Sequence, residues 1–355
     1  MLKQLNVAWS MMIALFAFAA ILPGGIKATA AGAVQEAIAE EAPPKGWTLV
    51  DSIPLPGHTT RFDYQSFDPV SKRLYIAHLG DSHLVVFNTK TNRVIADLPG
   101  FPHVHGVLYV PKLNRVYATV SSLSKRKNGQ LMVVDAKSLR IVGRFETGIH
   151  PDGLDFEPKT GRLFISNEWG KDVSVFDTTN NKMLERIPLH GEVGNTRIDS
   201  MEHRIYATVQ TRNLLVRIDP FSLQVDRKYR LPCQHPHGLW VNSSDRVAYV
   251  ACEKDARLLV VALSSGQTLA RYPTGKKPDV LSFDPVRKML YVAAESGEVS
   301  VYKQSGTLLT PLATDFLWKN AHTIFIDPRT HRLYLPLQSI GNGPGIKVFL
   351  YDYKS

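Results

Sequence analysis

One short pattern recurs seven times between residue 47 and the end of the chain. Each copy carries an aromatic residue inside an apolar, strand-like run, just after a basic residue: RLYIA from Arg73, RVYAT from Arg115, RLFIS from Arg162, RIYAT from Arg204, RVAYVA from Arg246, KMLYVA from Lys288 and RLYLP from Arg332. The aromatics are Tyr75, Tyr117, Phe164, Tyr206, Tyr249, Tyr291 and Tyr334, at gaps of 42, 47, 42, 43, 42 and 43 residues. A period of about 40–45 residues with four short strands per unit predicts a β-propeller blade. One blade cannot bury both faces of its sheet, so the copies must pack around a ring. The fold class expected is all-β, a seven-bladed β-propeller.

The first copy shows the unit. Alternating apolar residues and Asp-Pro, Gly or Asn turns predict strands a to d over 62–67, 73–78, 83–89 and 93–99. The seventh copy has no strand d, because the chain stops just after IKVFLYD. The segment 47–57, WTLVDSIPLPG, reads like every other strand d. It is expected to complete the last blade, which also removes an open sheet edge.

Residues 1–30 read as a secretory signal peptide. Lys3 precedes an apolar run from Val7 to about Leu22, and Ala28-Thr29-Ala30 and Ala31-Gly32-Ala33 are small-residue cleavage candidates. The run is short for an uncleaved membrane anchor. Residues 31–46 read as a flexible leader ending in Pro43-Pro44, and 47–355 as one propeller domain. The expectation is a periplasmic or secreted monomer with no transmembrane span after cleavage. The formal charge is +10, and the first 46 residues contribute none of it, since Lys3, Lys27 and Lys45 offset Glu36, Glu40 and Glu41. A basic domain favours an anionic ligand or partner, nucleic acid included.

The repeat has a second set of equivalent positions, at the start of strand a: Asp63, His105, Asp152, Asn195, His237, Asp279 and His322. Asn195 enters this set only if blade four has a turn one residue shorter. Strand a is the innermost strand of a blade, so these residues are expected at the mouth of the central channel. Connections on the same face bring His78, Glu168, Trp169, Glu253 and Glu295, with His103, His150, His190, His235, Asn167, Lys276, Lys277, Lys319 and Gln338 nearby. Imidazole and carboxylate together suit a divalent transition metal, with His105, His237 and His322 as candidate ligands and one Asp as the fourth. The competing reading is a wet, polar channel or an organic-ligand pocket.

Cys233 and Cys252 flank blade five on this same face and are the only two cysteines. A disulfide fits an oxidising compartment. Cys233-x-His235-x-His237 with Cys252 as a soft-metal cluster is the alternative. Trp169, Trp240 and Trp318 could stack on bases, although Trp240 lies in the apolar run LWV and reads as core.

The tetrapeptide Phe164-Ile165-Ser166-Asn167, its relatives LYIA, AYVAC and LYVA, and the strand c run VSVFDTTNN resemble the YVTN (YncE-like) β-propeller repeats. The resemblance covers 47–355. It implies an exported or surface propeller, and DNA binding for the YncE-like members. Quinoprotein dehydrogenase subunits look similar, but no catalytic motif carries over. No nucleophile elbow, paired-carboxylate motif or phosphate loop is present. Three functions follow as expectations: binding of a ligand or partner at the His/Asp-rich channel face without catalysis, a metal-dependent lyase, hydrolase or oxidoreductase, or a DNA-binding propeller.

Overall fold

A computed structural model describes residues 42–124 and 126–353. The predicted signal peptide and most of the leader lie outside them. The described residues form seven four-stranded antiparallel sheets; in six of them each strand pairs with the next in sequence, and the seventh takes the first strand of the ring at its edge. The first blade comprises Gln65–Asp68, Arg73–His78, His83–Asn88 and Arg93–Pro99, close to the strands predicted. No helix among the described residues is long and apolar enough to cross a membrane.

The ring closes through its N-terminal strand. Trp47–Pro54 pairs antiparallel with Gly343–Tyr351, from Trp47 opposite Tyr351 to Pro54 opposite Gly345. The closing strand is therefore the outermost strand of the blade that holds the C-terminal residues.

The repeat aromatics make the ring compact. All seven are at most 2% exposed. Seven apolar clusters lie between successive blades, and each contains the aromatic of the earlier blade and residues of the next. Tyr75 packs with Tyr109 and Val116, Tyr117 with Leu154 and Leu163, and Phe164 with Ile205. Tyr206 packs with Ala248, Tyr249 with Leu290, Tyr291 with Leu333, and Tyr334 with Leu74 across the closure. Burying one such side chain contributes about 1.5–3 kcal/mol. The spacing of the aromatics thus reflects one repeated blade-to-blade contact.

Candidate functional site at the channel mouth

Strand pairing fixes which residue of each inner strand faces the channel mouth. Pro151 opposes Asn167 and Leu154 opposes Ile165 in blade three, which brackets Asp152. The same register brackets His105, His237 and Asp279 in blades two, five and six. In blade four, Val193 opposes Val209 and Thr196 opposes Ala207, so the equivalent residue is Gly194 and not Asn195. No side chain fits there. A Cβ on Gly194 would lie 2.5 Å from Thr208 Oγ1 and 2.8 Å from the His237 carbonyl. Threonines of the preceding blades hold two of the ring residues by their backbones: Thr119 Oγ1 donates to the Asp152 carbonyl and Thr208 Oγ1 to that of His237, each at 2.8 Å.

The mouth is a cavity of about 410 Å³. Of the residues expected there, Asp63, His105, Asp152, His237, Asp279, Glu168, Trp169, Glu253 and Glu295 line it, with His103 and His150. Three others do not. His78 is fully buried at the end of its strand, stacked on Phe62 at 4.0 Å with Nε2 2.9 Å from Thr60 Oγ1. Asn195 lies one residue deeper, where its Nδ2 donates to Tyr64 Oη at 2.6 Å. His322 is 1% exposed; its Nδ1 is 3.0 Å from the Asn320 carbonyl, and its Nε2 has no hydrogen-bond partner.

Neighbouring blades pair acid with base around the ring. His105 Nδ1 is 2.8 Å from Asp63 Oδ2. His237 Nε2 is 3.3 Å from Asp279 and 3.8 Å from Asp152, which it reaches past side-chain-free Gly194. Arg61 Nη1 donates to Glu295 Oε1 at 2.6 Å, and Nη2 is 3.6 Å from Asp279. His150 packs edge-on to Trp169, with ring centroids 3.8 Å apart, and its Nδ1 is 2.9 Å from Ser121 Oγ.

The three histidines named as metal ligands do not form one donor set. The compact groups are Asp63, His105 and Asp152, and separately Asp279, Glu295 and His322, each with donor atoms within 4.8 Å of one another. Equal spacing along the chain put the histidines on one ring, but blades two, five and seven occupy different sectors of it. Each histidine meets carboxylates before it meets another of the three.

Burial and charge set the protonation of this ring. Burial, then the charge of Asp63, pushes the Asp152 carboxyl up to about 7. Burial also raises Glu168. Burial opposes protonation of His105 and His237, but carboxylates overcome it: Asp63 raises His105, and Asp279 with Glu253 raises His237 well above the usual imidazole range. Burial alone would raise Asp279, yet its contact with His237 holds it down at about 2.

Six carboxylates, four histidines and one arginine line the mouth, so the +10 charge of the chain is not concentrated there. Sequence reasoning missed Arg61 and Tyr64. Tyr64 stands at the position occupied by Gly106, Gly153 and Gly238 in other blades, so an aromatic in a column of glycines was the available signal. Its hydroxyl also lies 3.5 Å from His237 Nε2, and the ring forms a waist that lines this cavity and a second one beyond it.

Cys233 and Cys252 are joined in a disulfide, with Cα atoms 6.2 Å apart. The paired thiols are thus not metal ligands. His235 Nδ1 instead contacts Glu253 Oε2 at 2.7 Å.

No protein-family model matches the chain. It is similar to the uncharacterized protein YncE of Salmonella typhimurium, with 28% identity over 175 residues, 48% of this chain and 49% of that one. YncE of Salmonella typhi is 29% identical over 101 residues, 28% of this chain and 27% of that one. The chain therefore spans about half or less of the length of the curated relatives it matches. Among solved structures, the WD40 repeats of RRP9 superpose with a TM-score of 0.71 at 13% identity, covering 87% of this chain and 99% of that one. Virginiamycin B lyase from Staphylococcus aureus superposes with a TM-score of 0.69 at 12% identity, covering 86% and 99%. Likeness at that identity speaks for the fold alone. The architecture makes this chain a seven-bladed β-propeller, and its sequence is similar to YncE over about half of its length.

Proposed function

We propose that this protein is an exported binding propeller whose channel mouth takes a divalent transition-metal ion on Asp63, His105 and Asp152. The observation that carries this reading is the approach of these three donor atoms to within 4.8 Å of one another at the wall of an acidic cavity. Two carboxylates and one imidazole suit zinc, manganese, iron or nickel. A bound cation would relieve the repulsion between Asp63 and Asp152. It would also alter the ligand expected from net charge: six carboxylates repel an anion, so an anionic group would reach this mouth through the ion. Export to the periplasm or beyond is supported by the disulfide, which persists in oxidising compartments.

A second reading is metal-dependent catalysis at the same place. It is favoured by the room beside the donors, a cavity of about 410 Å³, with His237 3.8 Å from Asp152 as a proton carrier. Both readings require the metal.

The test is metal content by plasma mass spectrometry on full-length protein purified without chelator or affinity tag, with calorimetric titration of zinc and manganese into the chelator-treated protein. About one ion per chain is expected, abolished in the Asp63→Asn/Asp152→Asn variant at an unchanged circular dichroism spectrum. Absence of metal as purified, together with no saturable binding of either ion, would reject the proposal.

A further inference from the structure

Beyond the Tyr64 waist the channel opens into a second cavity of about 570 Å³, to which the inner strands of all seven blades contribute. That volume falls in the range of small-molecule sites. Its wall is largely apolar. Phe67, Leu108, Trp240, Phe283 and Phe325 line it and are all half-buried. Phe67 packs on Phe325 with centroids 5.0 Å apart, and Trp240 on Phe283 at 6.3 Å.

The charges in this wall differ in how they are satisfied. Asp155 accepts the backbone N–H groups of Phe156 and Ile198 at 2.8 and 2.9 Å. Asp327 accepts the backbone N–H of Arg329 at 3.0 Å and its guanidinium at 3.3 Å. The charge of Arg197 acts on Asp155, but no direct bond joins the two. It is half-buried, and among the described residues its guanidinium makes one hydrogen bond, from Nη1 to the Thr196 carbonyl at 2.9 Å, and no ion pair. A guanidinium carries five N–H donors in a planar fork that fits a carboxylate. Arg197 opposes Tyr206 and Trp240 opposes Tyr249, so the two hold equivalent positions in neighbouring blades four and five. Arg197 thus stands between the Asp155 carboxyl, which burial raises and its charge lowers, and an aromatic wall, and among the described residues most of its N–H donors are left without a hydrogen bond.

We propose that this second cavity binds an aromatic carboxylate, its ring system against Trp240 and Phe283 and its carboxylate on Arg197. The site is separate from the metal-binding mouth and shares only Tyr64 with it.

The test uses 2-naphthoate and the uncharged 2-naphthylmethanol, titrated into the full-length protein by calorimetry. One saturable site per chain is expected for 2-naphthoate. Arg197→Gln should weaken 2-naphthoate roughly tenfold or more, the worth of a charged hydrogen bond, while leaving the alcohol unchanged. The unchanged alcohol shows that the variant cavity is intact. Arg197→Lys, which keeps the charge but loses the fork, should weaken the acid less than the glutamine does. Asp152→Asn should not affect it. No saturable binding of 2-naphthoate, an Arg197→Gln variant that loses acid and alcohol equally, or a loss caused by Asp152→Asn would each overturn the proposal.

Discussion

Glu157 ends the inner strand of blade three and reaches into blade four. It is fully buried, its oxygens accept the backbone N–H groups of Lys159 and Thr160 at 3.1 and 2.6 Å, and His203 Nδ1 lies 2.8 Å away. The same latch recurs at two further junctions. Asp284 meets His331 Nδ1 at 2.6 Å, and Asp199 meets Arg246. In each, an acid at the end of strand a holds a basic residue just before strand b of the next blade. Burial alone would raise the Glu157 carboxyl, but the bonds from Thr160 and His203 hold it below its ordinary 4.5. The lowered value gives the sign. The ionised group stabilises the fold fully above pH 4.5, and this contribution is lost as pH falls through the folded value. Glu157→Gln should therefore cost about 1.5–3 kcal/mol at pH 7, the range for hydrogen bonds to a charged group. The gap between wild type and variant should shrink when urea unfolding is repeated near pH 3. A gap of equal size at both values would show that the charge of Glu157 contributes nothing.

At the scale of elements, the closing strand ties the two ends of the described ring together. Trp47 anchors it. Its ring packs edge-on against Tyr351 and Phe349, with centroids 4.9 and 6.1 Å away, and its Nε1 donates to Asp315 Oδ2 in blade six at 2.8 Å. Trp47→Ala should cost about 3–5 kcal/mol, as large-to-small core changes do. Ser52→Ala on the same strand should stay within about 0.5 kcal/mol. Equal midpoints for the two variants in urea unfolding would mean that the strand is not anchored by its tryptophan. This strand was legible in the sequence because a repeat lacking its last strand and a spare strand at the other end imply each other. The blades were legible for a related reason: each aromatic fills the same space between blades, so its spacing survives changes in the loops. The mouth was legible only in part. Spacing picked out Asp63, His105, Asp152, His237 and Asp279, which line one cavity, but it also picked out His322, which does not, and a one-residue slip in blade four substituted polar Asn195 for Gly194. Spacing also carries no information on which ring members face each other, so three histidines read as one metal set when each meets carboxylates of nearby blades.

At the scale of the whole molecule, repeat architectures are held chiefly by contacts between neighbours, and stability is close to a sum of unit and interface terms. The Tyr64–Asn195 hydrogen bond breaks that rule. It joins blade one to blade four, 131 residues apart, through the channel itself. Both residues are buried, and the Asn195 Oδ1 has no hydrogen-bond partner, so Nδ2 makes the tie. Burial, reinforced by Asp152, raises the Tyr64 hydroxyl well above its ordinary 10, so it stays protonated at neutral pH. Removing Tyr64 Oη strands the Asn195 amide in the waist, and removing Asn195 leaves the Tyr64 hydroxyl only the long contact to His237 Nε2 at 3.5 Å. Tyr64→Phe and Asn195→Ala should thus each cost about 1–3 kcal/mol in urea unfolding. The double variant loses the shared bond only once, so its loss should be smaller than the two single losses added together, by a coupling of about 0.5–3 kcal/mol. A fold stabilised only by neighbour contacts would give the opposite result, because residues in blades one and four would then act independently. Additive losses would show that the waist is a steric plug with no energetic tie across the ring. Coupled losses would show that the channel wall itself holds opposite blades together, between a charged mouth and an apolar one.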